Sequence, residues 1–102
     1  MIDSIKIRLK GALEGALKSA YGLSEVNVVV EEPKRANQGD LSIPVFTLAK
    51  AIGKPLPETV AQLQELIRLS DLSPLFSSVV PVGGFLNLSL DKAAVAQGVF
   101  RD

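Results

Sequence analysis

The chain contains no cysteine and no histidine among its 102 residues. Without cysteine there are neither disulfides nor thiolate metal sites. Without histidine the commonest general base and metal ligand at neutral pH is missing, so Ser–His and Cys–His catalytic pairs are excluded. An excess of either charge is also lacking. The 11 Lys and Arg residues balance 11 Asp and Glu, so no overall basic field draws in a polyanion. Nucleic-acid binding must then use a local patch, or rely on a partner domain for most of its affinity. No segment is apolar for long enough to cross a membrane. The opening MIDSIKIRLK alternates charged and apolar groups and lacks the apolar run of a signal peptide. The simplest expectation is a cytoplasmic protein with no membrane partner. Phosphate loops are absent as well: there is no GxGxxG, and Gly83-Gly84 is not followed by Lys-Ser/Thr. Glu31 and Glu32 are adjacent and would point to opposite faces of a strand, so they are not expected to form a paired-carboxylate site. This inventory points to binding rather than to catalysis by this chain alone, with no metal or cofactor site.

What is present suffices for one domain over residues 1–102, with 47% apolar residues to build a core. Ile5, Leu9, Leu13, Ala16, Leu17 and Ala20 recur at helical spacing and predict an amphipathic helix over residues 3–21, ending at Gly22. Gly11 and Gly15 lie inside it, each costing roughly 1 kcal/mol against Ala, and suggest close approach of another element. The β-branched run at residues 26–32 predicts a strand. A polar loop follows. Asp40 is placed to cap a helix over residues 41–52, with Leu41, Val45, Leu48, Ala49 and Ile52 facing inward. Pro44 falls within its first turn, where its missing N–H costs nothing. A second helix is predicted over residues 57–69, its stripe formed by Val60, Leu63, Ile67 and either Leu66 or Leu69. Residues 77–82 and 85–90 predict a hairpin around Gly83-Gly84, and Asp91 caps a last helix over residues 92–100. The class expected is α+β: a small, mostly antiparallel sheet of about three to four strands with helices packed on one face.

The hairpin raises a specific question. In VGGFLNLSL, alternation puts Leu86, Leu88 and Leu90 on one face and Phe85, Asn87 and Ser89 on the other. The leucine face is a core face. A phenylalanine beside polar residues on the outer face needs another reason, either a shifted register that buries it or a ligand.

Three segments together resemble one family. They are NQGDLSIPVFTLAKAIGKPLPETVAQL (residues 37–63), VPVGGFLNLSL (residues 80–90) and the opening amphipathic helix. In order and spacing they resemble the N-terminal additional domain of arginyl-tRNA synthetase. Leu41 stands where that family most often has an aromatic after Gly-Asp, which puts any role for a ring there in doubt. The resemblance implies a class I ligase using ATP, arginine and tRNA. Its HIGH-type and KMSK-type motifs belong to a catalytic domain and are not in this chain. The chain is therefore expected to be an excised domain, a monomer, with ATP and arginine bound by the catalytic domain in cis and no cofactor of its own.

For the domain itself the resemblance implies recognition of the elbow of tRNA(Arg), on the D-loop side. Phe85 would stack on an exposed base and Asn87 would hydrogen-bond its edge. With Gly83-Gly84 as a two-residue turn, Val82 and Val80 lie on the same outer face and would flank that base. The chemistry agrees. RNA is read mainly through unstacked bases that stack on aromatic rings and bond through exposed edges, and an aromatic and an amide two residues apart on a strand project together. Lys34, Arg35, Asn37 and Gln38 form the best local cluster for phosphate or loop contacts, or else a solvated loop. Gly39 and Asp40 are read as structural, as are Gly83 and Gly84. Lys6, Arg8, Lys10 and Lys18 are read as the wet side of the first helix. Two rivals remain: a protein-interaction module, a freestanding relative of this domain using the exposed hairpin against a protein, and a small enzyme active only as an assembly.

Overall fold

Leucines and isoleucine spaced four apart give the first helix its buried stripe: Ile5, Leu9, Leu13 and Leu17 are all but fully buried. They lie on α1, Ile2–Tyr21. The computed structural model describes residues 2–33, 39–91 and 93. The loop at 34–38, and all but Ala93 of the helix expected over residues 92–100, lie outside them. After α1 come β1 (Leu41–Pro44), α2 (Val45–Ile52), α3 (Leu56–Leu69), a short 3-10 turn (Ser73–Leu75), β2 (Phe76–Val82) and β3 (Phe85–Leu90). The class is α+β, as expected, with three strands in the order β1-β3-β2 and every pairing antiparallel.

The central strand determines where the core lies. Leu86 and Leu88 of β3 are fully buried, and their cross-strand neighbours on β1 are Ile43 and Leu41. Directly opposed residues share a face, so four apolar side chains line the inner side of the sheet. They join the α1 stripe, Leu48 of α2, and Leu63 and Ile67 of α3 in one cluster. On α3 the partly buried fourth member is Leu66, whereas Leu69 is 66% exposed. Gly11 and Gly15 bring nothing close: a Cβ at either would meet no atom within 4 Å.

Two elements differ from expectation. Residues 41–44 form a strand and not the first turn of a helix. The residue before a proline is pushed out of the α region by the ring, so Ile43 is extended and the helix starts only at Val45. Asp40 therefore caps no helix. Its N–H donates to the Leu88 carbonyl at 2.8 Å, and its carboxylate accepts the Leu90 N–H at 2.8 Å.

The second difference is the β-branched run. Residues 26–32 form no strand among the described residues and contribute one isolated bridge, Glu31 to Ser42. Burial still alternates, with Val28 buried and Val29 exposed. Side chains on α1 replace the missing ladder. The Lys10 ammonium donates to Glu14 at 2.7 Å, to the Asn27 side chain at 2.7 Å and to the Val28 carbonyl at 3.0 Å, while the Val28 N–H donates to Glu14 at 2.9 Å. Lys6 pairs with Glu32 at 3.3 Å. Two lysines read as solvated thus clasp this segment to the helix.

The clasp has a pH signature. The hydrogen bond from Lys10 holds the Glu14 carboxyl below its ordinary 4.5, helped by the Val28 N–H and opposed by partial burial. A carboxyl with a depressed folded-state value contributes stability above the unfolded value, and that contribution is lost as pH falls through the folded one. Glu14→Gln should therefore lower stability at neutral pH by about 1 kcal/mol, as expected for a charge-assisted hydrogen bond near the surface. The gap to the wild type should close below the ordinary 4.5. Urea midpoints measured at neutral and acid pH test this, and a gap independent of pH would assign the loss to packing.

Candidate nucleic-acid interface

The hairpin is built by its two glycines. Gly83 and Gly84 have φ of +53° and +91°, the left-handed pair that a primed two-residue turn requires, and the closing pair is Val82 with Phe85. The turn also starts α2. The Gly84 carbonyl accepts the N–H groups of Val45 at 2.9 Å and Phe46 at 3.3 Å, so two of the helix's orphan donors are satisfied by backbone and no side-chain cap is made. This places Phe46 against the hairpin. Its ring meets Phe85 edge-to-face, with centroids 5.5 Å apart and planes at 77°.

The outer face of the sheet holds the residues that the alternation put there. Phe85 is 36% exposed, Val80 48% and Val82 54%. Asn87 lies between them on β3, opposite Val80 on one side and Ser42 on the other. The Ser42 hydroxyl donates to Asn87 Oδ1 at 3.1 Å. Phe85, Asn87 and Val82 line one pocket of about 240 Å³ together with Ser42, Glu31, Glu32 and Pro33. It is smaller than the roughly 300–1,000 Å³ clefts that engulf drug-sized ligands, and its open mouth suits one planar ring. Val80 is not among the lining residues.

Glu31 and Glu32 were expected on opposite faces, yet both line this pocket. The reason is local. Only Glu31 makes a bridge, so strand alternation does not govern the chain beyond it. The pocket therefore has an aromatic wall, an amide and a hydroxyl, with Glu31 and the Lys6-paired Glu32 among its lining residues. Carboxylates there can accept hydrogen bonds from ring N–H or amino groups. Lys34, Arg35, Asn37 and Gln38 lie outside the described residues. Gly39 lies beside β3, where a Cβ would come within 2.8 Å of the Leu88 carbonyl oxygen. Among the described residues no group of three His, Cys, Asp or Glu could hold a metal ion, and no helix is long and apolar enough to cross a membrane.

Sequence reasoning missed Ser42 and Phe46. Each joins the site through a contact distant along the chain. The available signal for Phe46 was an aromatic left off the inward stripe of Leu41, Val45, Leu48, Ala49 and Ile52, and for Ser42 a polar residue alternating with Leu41 and Ile43.

Residues 5–90 match the family described as the arginyl tRNA synthetase N terminal domain. The chain is similar to the arginine–tRNA ligase of Lactococcus lactis subsp. cremoris (strain MG1363), 33% identical over 91 residues that make up 89% of this chain and 15% of that protein. Against the arginine–tRNA ligase of Exiguobacterium sibiricum the identity is 31% over 98 residues, 96% of this chain and 17% of the relative. The structure is similar to that of Thermus thermophilus arginyl-tRNA synthetase, with a TM-score of 0.68 and 30% identity, over 90% of this chain and 15% of that one. The chain thus spans about one-sixth of the length of these relatives. A family match across most of the chain, together with a shared fold, makes it a member of the arginyl-tRNA synthetase N-terminal domain family.

Proposed function

We propose that this chain is the tRNA-reading part of an arginine–tRNA ligase. It docks on the D-loop side of the elbow of tRNA(Arg) and orients the acceptor end for ATP-dependent arginylation by a catalytic domain in cis. It works as a cytoplasmic monomer, and ATP and arginine bind that other domain. The observation that supports this best is the placement of Phe85 and Asn87 two residues apart on the outer face of the central strand, around one pocket with Val82. In this reading one unstacked base enters the pocket, stacks on Phe85 and bonds through its edge to Asn87. Base–aromatic stacking is worth roughly 1–3 kcal/mol. That is enough to place an RNA held elsewhere and too little to bind it tightly alone. The balanced net charge fits the same division of labour, because little non-specific affinity comes from counterion release.

The test is an NMR titration of the 102-residue chain with tRNA(Arg), repeated with a D-loop base replaced. Shifts centred on Phe85 and Asn87 that weaken with the altered RNA are expected. Shifts confined to residues 34–38 would leave RNA binding standing and remove the hairpin as reader. An absence of shifts at low salt and high concentration would overturn the reading and favour a surface for protein partners.

A further inference from the structure

We propose that Ser42 is a positioning residue that determines which end of the Asn87 side chain faces the pocket, an inference that rests on the base-reading role of Asn87. An asparagine amide has an acceptor end and a donor end of nearly equal size. Left free to turn, it would read two different base edges equally well. Here it is not free. Ser42 sits directly opposite Asn87 in the β1–β3 register and is 6% exposed. Its hydroxyl bonds the Asn87 side chain at 3.1 Å.

A hydroxyl can donate or accept, so this bond by itself fits either orientation of the amide. The surrounding charge decides. Glu31 and Glu32 both line the same pocket; Glu32 is paired with Lys6, so Glu31 supplies the negative field that draws the positive NH2 end of the amide toward the opening. Oδ1 then turns inward to accept from Ser42. Ser42 also holds the source of that field. Its N–H donates to the Glu31 carbonyl at 2.8 Å, and its own carbonyl accepts the Glu31 N–H at 2.7 Å. One buried residue thus ties the carboxylate rim to one edge of β1 and the amide to the other. The pocket presents Asn87 as a donor only. It selects a ring edge that offers an acceptor at that point, and it disfavours one that offers an N–H.

Carboxamide NMR of Ser42→Ala and Ser42→Thr tests this, first without RNA. Losing a hydrogen bond to Oδ1 moves the Asn87 Cγ resonance upfield and leaves the Nδ2 protons nearly unmoved. That pattern in Ser42→Ala, with recovery in Ser42→Thr, is expected. Movement of the Nδ2 protons with Cγ unchanged would mean the amide faces the other way, and would overturn the proposal. So would no movement of either. If Ser42→Ala does not fold, Ser42→Cys gives the same comparison, being similar in size and a weak donor.

Binding of tRNA(Arg) and of its D-loop-substituted form supplies the second readout. Ser42→Ala should lower the discrimination between them by roughly threefold to tenfold, the worth of one net hydrogen bond, and Ser42→Thr should restore it. Full discrimination in Ser42→Ala would overturn the role. If the wild-type chain does not discriminate, the base-reading function itself fails, while the carboxamide shifts still decide what Ser42 does to Asn87.

Discussion

Phe85→Ala should weaken binding of tRNA(Arg) by roughly 1–3 kcal/mol, or about five- to 150-fold, the measured range for removing one base–aromatic stack. The fold should survive, because Phe85 is 36% exposed and lies on the outer face of the sheet. Loss of its edge-to-face contact with Phe46 costs about 0.5–1.5 kcal/mol of stability beyond the apolar area that the ring buries. Affinity and salt dependence must be measured together. Stacking involves no phosphate, so the slope of log affinity against log salt should stay unchanged while the whole line drops. A flatter slope would indicate displaced phosphate contacts. Unchanged affinity would remove Phe85 from the interface.

Gly39→Ala is the change expected to damage the fold most for its size. Gly39 has φ +85°, and a Cβ there would lie 2.8 Å from the Leu88 carbonyl oxygen and 3.2 Å from its carbon. Neither obstacle is a flexible side chain. The same carbonyl accepts the Asp40 N–H at 2.8 Å, so moving it breaks the entry to β1. Strain at a left-handed position together with a backbone clash should cost about 2–3 kcal/mol. At about 4–8 °C per kcal/mol for a domain of this size, thermal unfolding should start more than roughly 8 °C earlier. Gly15→Ala is the internal control, since nothing lies within 4 Å of a Cβ there and Ala is the better helix former by roughly 1 kcal/mol. Equal effects of the two substitutions would refute the steric account.

Much of the fold was legible because its elements announce themselves locally. The stripe of Ile5, Leu9, Leu13 and Leu17, the start of α3 at Pro55 and Pro57 and the Gly-Gly turn each need only neighbouring residues to be read. Residues 41–44 were misread because Asp40 resembles a cap and Leu41, Val45 and Leu48 share helical spacing; the restriction that Pro44 places on Ile43 outweighed both. The run at residues 26–32 has strand composition, yet its backbone is held largely by Lys10 and Glu14, and no propensity encodes such a clasp. At the site, period-two alternation was enough to put Phe85, Asn87 and Val82 on one face. Ser42, Phe46 and the two glutamates were not read as parts of the site because they join it by tertiary pairing, not by local pattern.

That pairing also bears on when the pocket comes into being. Ser42 and Asn87 are 45 residues apart in the chain, whereas β2 and β3 are joined by two glycines. A hairpin closes in about 1–10 μs, and contacts across long loops wait on a larger loss of chain entropy. β1 is therefore the later strand to dock. A nascent or partly unfolded chain that has formed only its hairpin displays the Phe85 ring without Ser42, and without Glu31 bridged beside it. The pocket is therefore complete only once β1, the strand most distant along the chain, has docked.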